Sequence, residues 1–365
     1  MSKAAELAAL IGGQKALGDK NLIHNGAMKV DQRNAGSSIT VPNATNTFVV
    51  DRFRINESSG AVFTAQQVDD APVGFEYSSK ITVSTADTSL GAAEFNRIMQ
   101  GIEGKNISHL NWGTSNAKTL TLSFYVKSSV TGQYYVSVFN SAANRTLLKG
   151  YTIDSANTWE KKTITVIGDQ TGTWLTTNGL GIYIMWSLGT GSNYQSNTLD
   201  AYQASFAMAK SDQVNFAASV NSTWQLTGVQ LEIGEAATAF EHEEIGITLR
   251  KCQRYFESSY NLGTAPASAT TVGIRLLDYA TTGANSGMGH VSFCVPKRAT
   301  PSTITYDGAG TANKVSTTPN NTTFTDGRAY TGAPFGVSTT GFNHQGQGAG
   351  GNLYNFIHFT AEIEL

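Results

Sequence analysis

Charge is what this sequence has least of. Lys, Arg, Asp and Glu make up 14% of its 365 residues, well below the quarter typical of soluble domains, and the formal net charge is −2. Binding along a nucleic-acid backbone needs clustered Lys and Arg to release counterions, and without such a cluster nucleic acid is not an expected partner. Only two cysteines occur, Cys252 and Cys294, with neither CxxC nor Cys/His ligand spacing; they read as two buried free thiols. No apolar run reaches about 18 residues, so no membrane insertion is expected, and no basic start leads into an apolar core, so synthesis in a cytoplasm is expected. The six histidines (His24, His109, His242, His290, His344 and His358) are scattered, and HExxH, GxSxG and GKS/GKT are all missing. A match to GxGxxG at Gly346, Gly348 and Gly351 has no helix after it and no ribose-binding acid about 20 residues on, so it reads as a loop. Glu232, Glu241, Glu243 and Glu244 are the densest carboxylates. Glycoside hydrolysis needs a facing pair about 5–10 Å apart, which spacing alone does not establish, and these glutamates read as caps or helix-start residues. Neither an enzyme nor a cofactor nor a metal site is expected.

What is present is a neutral, polar, β-rich chain. At 40% hydrophobic and 365 residues it is long enough to bury two cores, and 37 glycines with many Ser, Thr and Asn supply turns. Residues 1–20 read as a short helix and hinge: Ala4, Leu7, Leu10 and Ile11 recur at helical spacing before Gly12 and Gly13 end the pattern. A helix of three turns is marginal alone in water, so its stripe is expected to pack on symmetry mates in a homotrimer or to dock into another protein. Residues 21–243 alternate as short strands, expected at 48–55, 77–82, 119–127, 134–139, 162–166, 181–186 and 224–232. Seven or more antiparallel strands close best as a two-sheet jelly-roll sandwich. Residues 92–104 read as a short helix or a loop, because Phe95, Ile98, Met99 and Ile102 fit helical spacing.

Residues 244–260 read as a linker helix with Ile245, Leu249, Cys252 and Phe256 on one face, either packed on its own domain or forming a threefold seam. Residues 261–365 read as a small C-terminal β-sandwich with strands near 272–279, 290–295 and 300–306 and a last strand over 354–365. On that strand Ile357, Phe359, Ala361, Ile363 and Leu365 share a face. Residues 307–325 and 341–351 are small and polar and are expected to be exposed tip loops.

Aromatic residues offer the remaining chemistry: 14 Tyr, 17 Phe and 5 Trp. Rings stack on the flat faces of sugars while Asn, Gln, Asp and Thr bond hydroxyls. Trp159, Trp186 and Trp224 lie in or beside strands and read as core; Tyr194, Tyr202, Tyr330, Phe342 and His344 lie in polar stretches and are the candidate receptor contacts.

Two stretches resemble a known family. NLIHNGAMKV (residues 21–30) with Asp51, Arg52 and Phe53 downstream resembles the opening of marine podophage and other phage tail-fibre-like proteins. WQLTGVQLEIG (224–234), then Phe240-Glu241-His242 and CQRYF (252–256), is similar to their later signature in order and spacing. The likeness spans residues 1 to about 260 and implies a virion location, threefold assembly and a part in host adsorption. The central unit also looks like carbohydrate-binding jelly rolls, but Met28 and Lys29 replace that family's Phe and Glu, and Thr227 and Gly228 its paired aspartates, so its structural calcium site is not implied.

Three readings follow. The first is a head or tail fibre that binds a host surface glycan or protein through exposed loops. The second is a structural fibre or adaptor anchored through the N-terminal helix to other virion proteins, supported by the lack of a shaft repeat. The third is a glycan depolymerase, which a facing carboxylate pair would revive.

Overall fold

The Asp51 and Arg52 pair shows how local conformation shapes the first sheet. Arg52 takes a left-handed backbone (φ 73°), so the stretch expected as one strand folds into two that pair with each other, Thr47 opposite Ile55. The computed structural model describes residues 20–280, 287–319, 324–329, 334–346 and 353–365. The expected N-terminal helix, with Leu7, Leu10 and Ile11, lies outside them.

Thirteen strands build the first unit. They are β1 (Ile39–Val41), β2 (Thr47–Val50), β3 (Phe53–Ser58), β4 (Val62–Val68), β5 (Ser78–Thr85), β6 (Phe95–Glu103) and β7 (Leu120–Ser128). Next come β8 (Gly132–Phe139), β9 (Thr146–Ile153), β10 (Glu160–Val166), β11 (Leu180–Thr190), β12 (Tyr202–Gln203) and β13 (Thr223–Ile233). They form two antiparallel sheets, ordered β1-β4-β5-β13-β7-β10 and β12-β9-β8-β11-β6-β3-β2. The sheets face each other across one apolar core, as the two-sheet reading anticipated. Phe124 of β7 meets Trp186 of β11 edge-on at 5.6 Å, and Phe63 stacks on Phe216 at 6.1 Å. Trp186 and Trp224 are fully buried; Trp159, expected in the core, is only half-buried and points its indole N–H at Asp70, 3.3 Å away.

Residues 95–103 are a central strand, not a helix or loop. Ile98 and Ile102 face the inter-sheet core while Phe95 and Met99 pack on the opposite side, so both faces are apolar and the two-residue period is hidden.

Helix α1 (Ile245–Gln253) is shorter than expected, capped by Glu244, whose carboxylate accepts the Gly246 N–H at 3.3 Å. It ends because the chain is drawn off into β14 (Phe256–Ser258), which pairs with the last strand. Its inward face is Thr248, Cys252 and Gln253; Ile245 and Ile247 are exposed and Leu249 is half-buried, so the Ile245–Leu249 stripe does not face the core of its own chain.

The second unit adds β15 (Arg275–Ala280), β16 (Gly287–Ser292), β17 (Ser302–Tyr306), β18 (Lys314–Thr318), β19 (Thr325–Ala329), β20 (Gly341–Gly346) and β21 (Leu353–Glu362). β21 is its centre, paired with β15 and β18 along its first half and with β14 and β17 along its second. Ile357, Phe359 and Ala361 are buried on one face as expected. The other face is also covered, with the buried His358 ring stacked on Tyr260 at 3.9 Å. The two stretches expected as tip loops contain β18 and β20. Val315, Ser316, Thr317 and Thr318 of β18 are buried, their Ser/Thr backbone satisfied by ladder pairing to β19 and β21. Cys252 is buried, but Cys294 is exposed: past β16 the alternation that buries Val291 and Phe293 turns Cys294 outward.

Candidate functional site

The outward face of the seven-stranded sheet is built by register. Arg97 of β6 stands between Asn56 of β3 and Ser187 of β11; Met99 opposes Met185, and Gly101 opposes Tyr183, which itself opposes Phe139 of β8. Because side chains alternate, Arg54, Asn56, Phe95, Arg97, Met99, Tyr183, Met185 and Phe139 all fall on this one side. Residues 192–214 fold back over its β8–β9 half. Ser137 Oγ donates to the Ala207 carbonyl at 2.7 Å, Tyr135 Oη donates to Asp212, and Met208 packs with Met99, Phe139 and Met185.

Where that cover stops, five rings form an arc. Phe95 meets Tyr194 at 5.5 Å, Tyr194 meets Phe206 at 6.0 Å, Phe206 meets Phe139 at 4.9 Å and Phe139 meets Tyr183 at 4.9 Å. All but Phe139 are half-buried, each packed on one side and open on another. The first three contacts are edge-to-face and the last is tilted, and together they hold the rings in fixed orientation.

Two guanidiniums stand beside the arc. Arg54 donates to Tyr183 Oη and to the Leu365 backbone oxygen, each at 2.6 Å. Arg97 lies 4.4 Å from the Phe95 ring centre; its Nη1 points to Met185 Sδ at 3.8 Å and its Nη2 to Asn56 Oδ1 at 3.5 Å. Among the described residues no carboxylate pairs with it. Burial, and then the neighbouring Arg54, lower its pKa to about 10, so it stays charged at neutral pH. Fixed rings offer apolar faces, and the half-buried arginines and tyrosines offer polar groups; together they suit a polyhydroxylated ring.

Of the residues singled out in the sequence, Tyr194 is in this arc. Tyr202 is elsewhere, half-buried against Trp112 and Trp174 with its hydroxyl donating to the Ile167 carbonyl at 3.0 Å. Phe342 and His344, expected as exposed contacts, are both buried. They are the inward positions of β20, with Phe342 packed on Phe293 and Phe359 and burial pushing the His344 pKa down to about 4. Tyr330 lies outside the described residues. Arg97, Phe95, Tyr183, Phe206 and Phe139 were not singled out. The signal for Arg97 was its place between Phe95 and Met99 on one side of a strand, visible only once that stretch is read as β.

The motif residues have a different fate. Asn21 bridges to β13, its Nδ2 donating to the Val229 carbonyl at 3.0 Å and its Oδ1 accepting the Leu231 N–H at 3.0 Å. Gly26 lies so close that a Cβ there would sit 2.0 Å from the Val229 oxygen. Asn25, itself left-handed, closes the turn by accepting the Val30 N–H at 3.0 Å and donating to Asp51 O at 2.9 Å. Between the two units, Arg33 pairs with Asp51 at 3.3 Å and with Glu362 and Glu364 at 3.1 Å, its guanidinium 3.8 Å from the Phe256 ring. Arg52 also pairs with Glu364 and lies 3.5 Å over the Tyr255 ring. The motifs therefore form a structural joint.

No protein-family model matches the chain, and no curated protein matches it. Among solved structures it is similar to the enzymatically active domain of tailspike protein 4 from bacteriophage CBA120, at 14% identity and a TM-score of 0.31 over 59% of this chain and 22% of that one. It is also similar to a CBM4 structure (15% identity, TM-score 0.30, 58% of this chain and 99% of that one). A family 11 carbohydrate-binding module from Clostridium thermocellum, solved with a mixed-linked tetrasaccharide, matches at 11% identity and a TM-score of 0.27, over 56% of this chain and 98% of that one. Function does not follow from likeness at this level. The chain's own sheet pairing defines its class, a mainly β protein with an antiparallel two-sheet sandwich followed by a second β unit.

Proposed function

We propose that this chain is a phage virion fibre protein that attaches to a host by binding a cell-surface glycan at the ring-lined face of its first sandwich. The observation that carries the reading is the arc of five rings, four of them half-open, with Arg97 against the Phe95 end. The virion setting is supported by the tail-fibre-like motifs. The reading is of a binding module and not an enzyme, since the polar groups in and beside the arc are guanidiniums, two phenols and an amide. Homotrimer formation and docking to other virion proteins through Leu7, Leu10 and Ile11 belong to the same proposal, and the exposed Ile245 and Ile247 are available for a seam.

The test is binding of the fluorescently labelled full chain to susceptible and resistant cells and to an oligosaccharide array. Selective binding that falls about tenfold in Phe206→Ala supports the reading, a loss typical of removing one aromatic anchor. A second reading, a structural adaptor, is favoured by the use of the motif residues in the joint. Binding to neither cells nor sugars by the folded protein would establish it in place of the first.

A further inference from the structure

We propose that the glycan taken by this face is acidic, and that Arg97 receives the carboxylate of a uronic-acid or similar sugar. The inference rests on the glycan-binding reading and adds the class of sugar to it.

The argument starts from how little Arg97 has. A guanidinium carries five N–H donors in a planar fork. Among the described residues Nε is buried with no hydrogen-bond partner, Nη1 faces a thioether sulfur at 3.8 Å, and Nη2 reaches one amide oxygen at the outer limit of a hydrogen bond, 3.5 Å. A half-buried cation normally has an anion beside it, because desolvation otherwise opposes its charge. The other arginines of this sandwich follow that rule or find close oxygen acceptors. Arg33, Arg52 and Arg145 pair with carboxylates, and Arg54 has two oxygens at 2.6 Å. Arg97 has a ring under it instead, and the like charge of Arg54 opposes its own.

An uncompensated cation is therefore set within an arc of rings suited to a pyranose. A planar carboxylate matches the guanidinium fork better than a hydroxyl, which returns one weaker bond. With the carboxylate on Arg97, the sugar's apolar face lies within reach of Phe95 and Tyr194, and hydroxyls within reach of the half-buried Tyr183. A neutral sugar would leave the charge as unsatisfied as it is now.

The experiment uses the full chain on an array that pairs acidic oligosaccharides with their carboxyl-reduced counterparts, galacturonate with galactose and glucuronate with glucose. Expected is at least tenfold tighter binding to the acidic member of a pair. Arg97→Gln weakens the acidic member far more than the neutral one and so removes that preference, Arg97→Lys restores part of it, and Phe206→Ala weakens both. Arg97→Gln should leave the melting temperature unchanged or raised, since it removes an unpaired charge; a large drop would mark Arg97 as structural and overturn the inference. Equal binding of both members, or a preference only for sulfated or phosphorylated sugars, would overturn the carboxylate assignment and leave glycan binding intact. No binding to any sugar or to susceptible cells would remove both.

Discussion

Arg254 closes a two-armed ion pair on Glu103, with Nε to Oε2 and Nη2 to Oε1 each at 2.7 Å, and Tyr255 Oη adds a third donor to the same carboxylate at 3.0 Å. Glu103 ends β6 of the first sandwich, while Arg254 and Tyr255 follow α1, so a single buried carboxylate ties the two units. Replacing Glu103 with Ala strands the arginine and the phenol. The expected cost is about 3–5 kcal/mol, read as a lower urea midpoint. Arg254→Lys, which cannot make the fork, should cost less.

The joint also sets a pH dependence. Burial, opposed mainly by Arg33 and the Gln32 side chain, holds Asp51 above the ordinary carboxylate range, at about 7. With the folded pKa raised, the native state binds more protons than the unfolded chain between about pH 4 and 7. The Asp51 contribution to stability is thus fully present below pH 4 and is lost as the pH rises towards 7. Thermal melts of the parent and of Asp51→Asn across that interval should show the variant lacking this decline; parallel curves would contradict it.

Gly26 is a packing requirement, since any side chain there meets the Val229 oxygen. Gly26→Ala should destabilise the first unit by about 1–3 kcal/mol, the range for forcing extra atoms into a packed site. Chemical denaturation followed by Trp fluorescence measures it, as Trp186 and Trp224 lie in that core.

The two thiols should behave differently. Cys252 is buried and Cys294 exposed, so an aromatic disulfide reagent should titrate one thiol in the native protein and two in denaturant. Burial and the nearby Glu257 raise the Cys294 pKa, so labelling should be slow at pH 7 and accelerate with rising pH. Cys294→Ser should abolish the native reaction.

What the sequence made legible follows from which elements declare themselves locally. β7 was plain because Leu120, Leu122, Phe124 and Val126 alternate with residues such as Tyr125 and Lys127. β6 was not, because a strand buried on both faces loses its alternation and imitates a helix. The turn at Arg52 was hidden because a left-handed arginine has no compositional signature. α1 was drawn too long because β14 is held by a strand about a hundred residues away. Phe342 and His344 were placed outside on account of their glycine-rich flanks, although the order Phe342, Asn343, His344 already alternates. The site was half legible: Tyr194 was chosen from its polar surroundings, whereas Arg97 required the register of three strands.

The position of β21 has a consequence for synthesis. Among the described residues, three strands from earlier in the chain, β14, β15 and β17, find their ladder partner only in residues 353–362, and β18, already paired with β19, gains its second partner there. On the ribosome the first sandwich has every strand it needs once residue 233 emerges. The second sheet has no axis until the tenth residue of β21 is made, so β14, β15 and β17 carry unpaired backbone until then, while β18 has only β19 beside it. Stalling the ribosome between residues 260 and 350 should yield a protease-resistant first unit joined to a digestible nascent segment, and the second unit should become resistant only after β21 clears the exit tunnel.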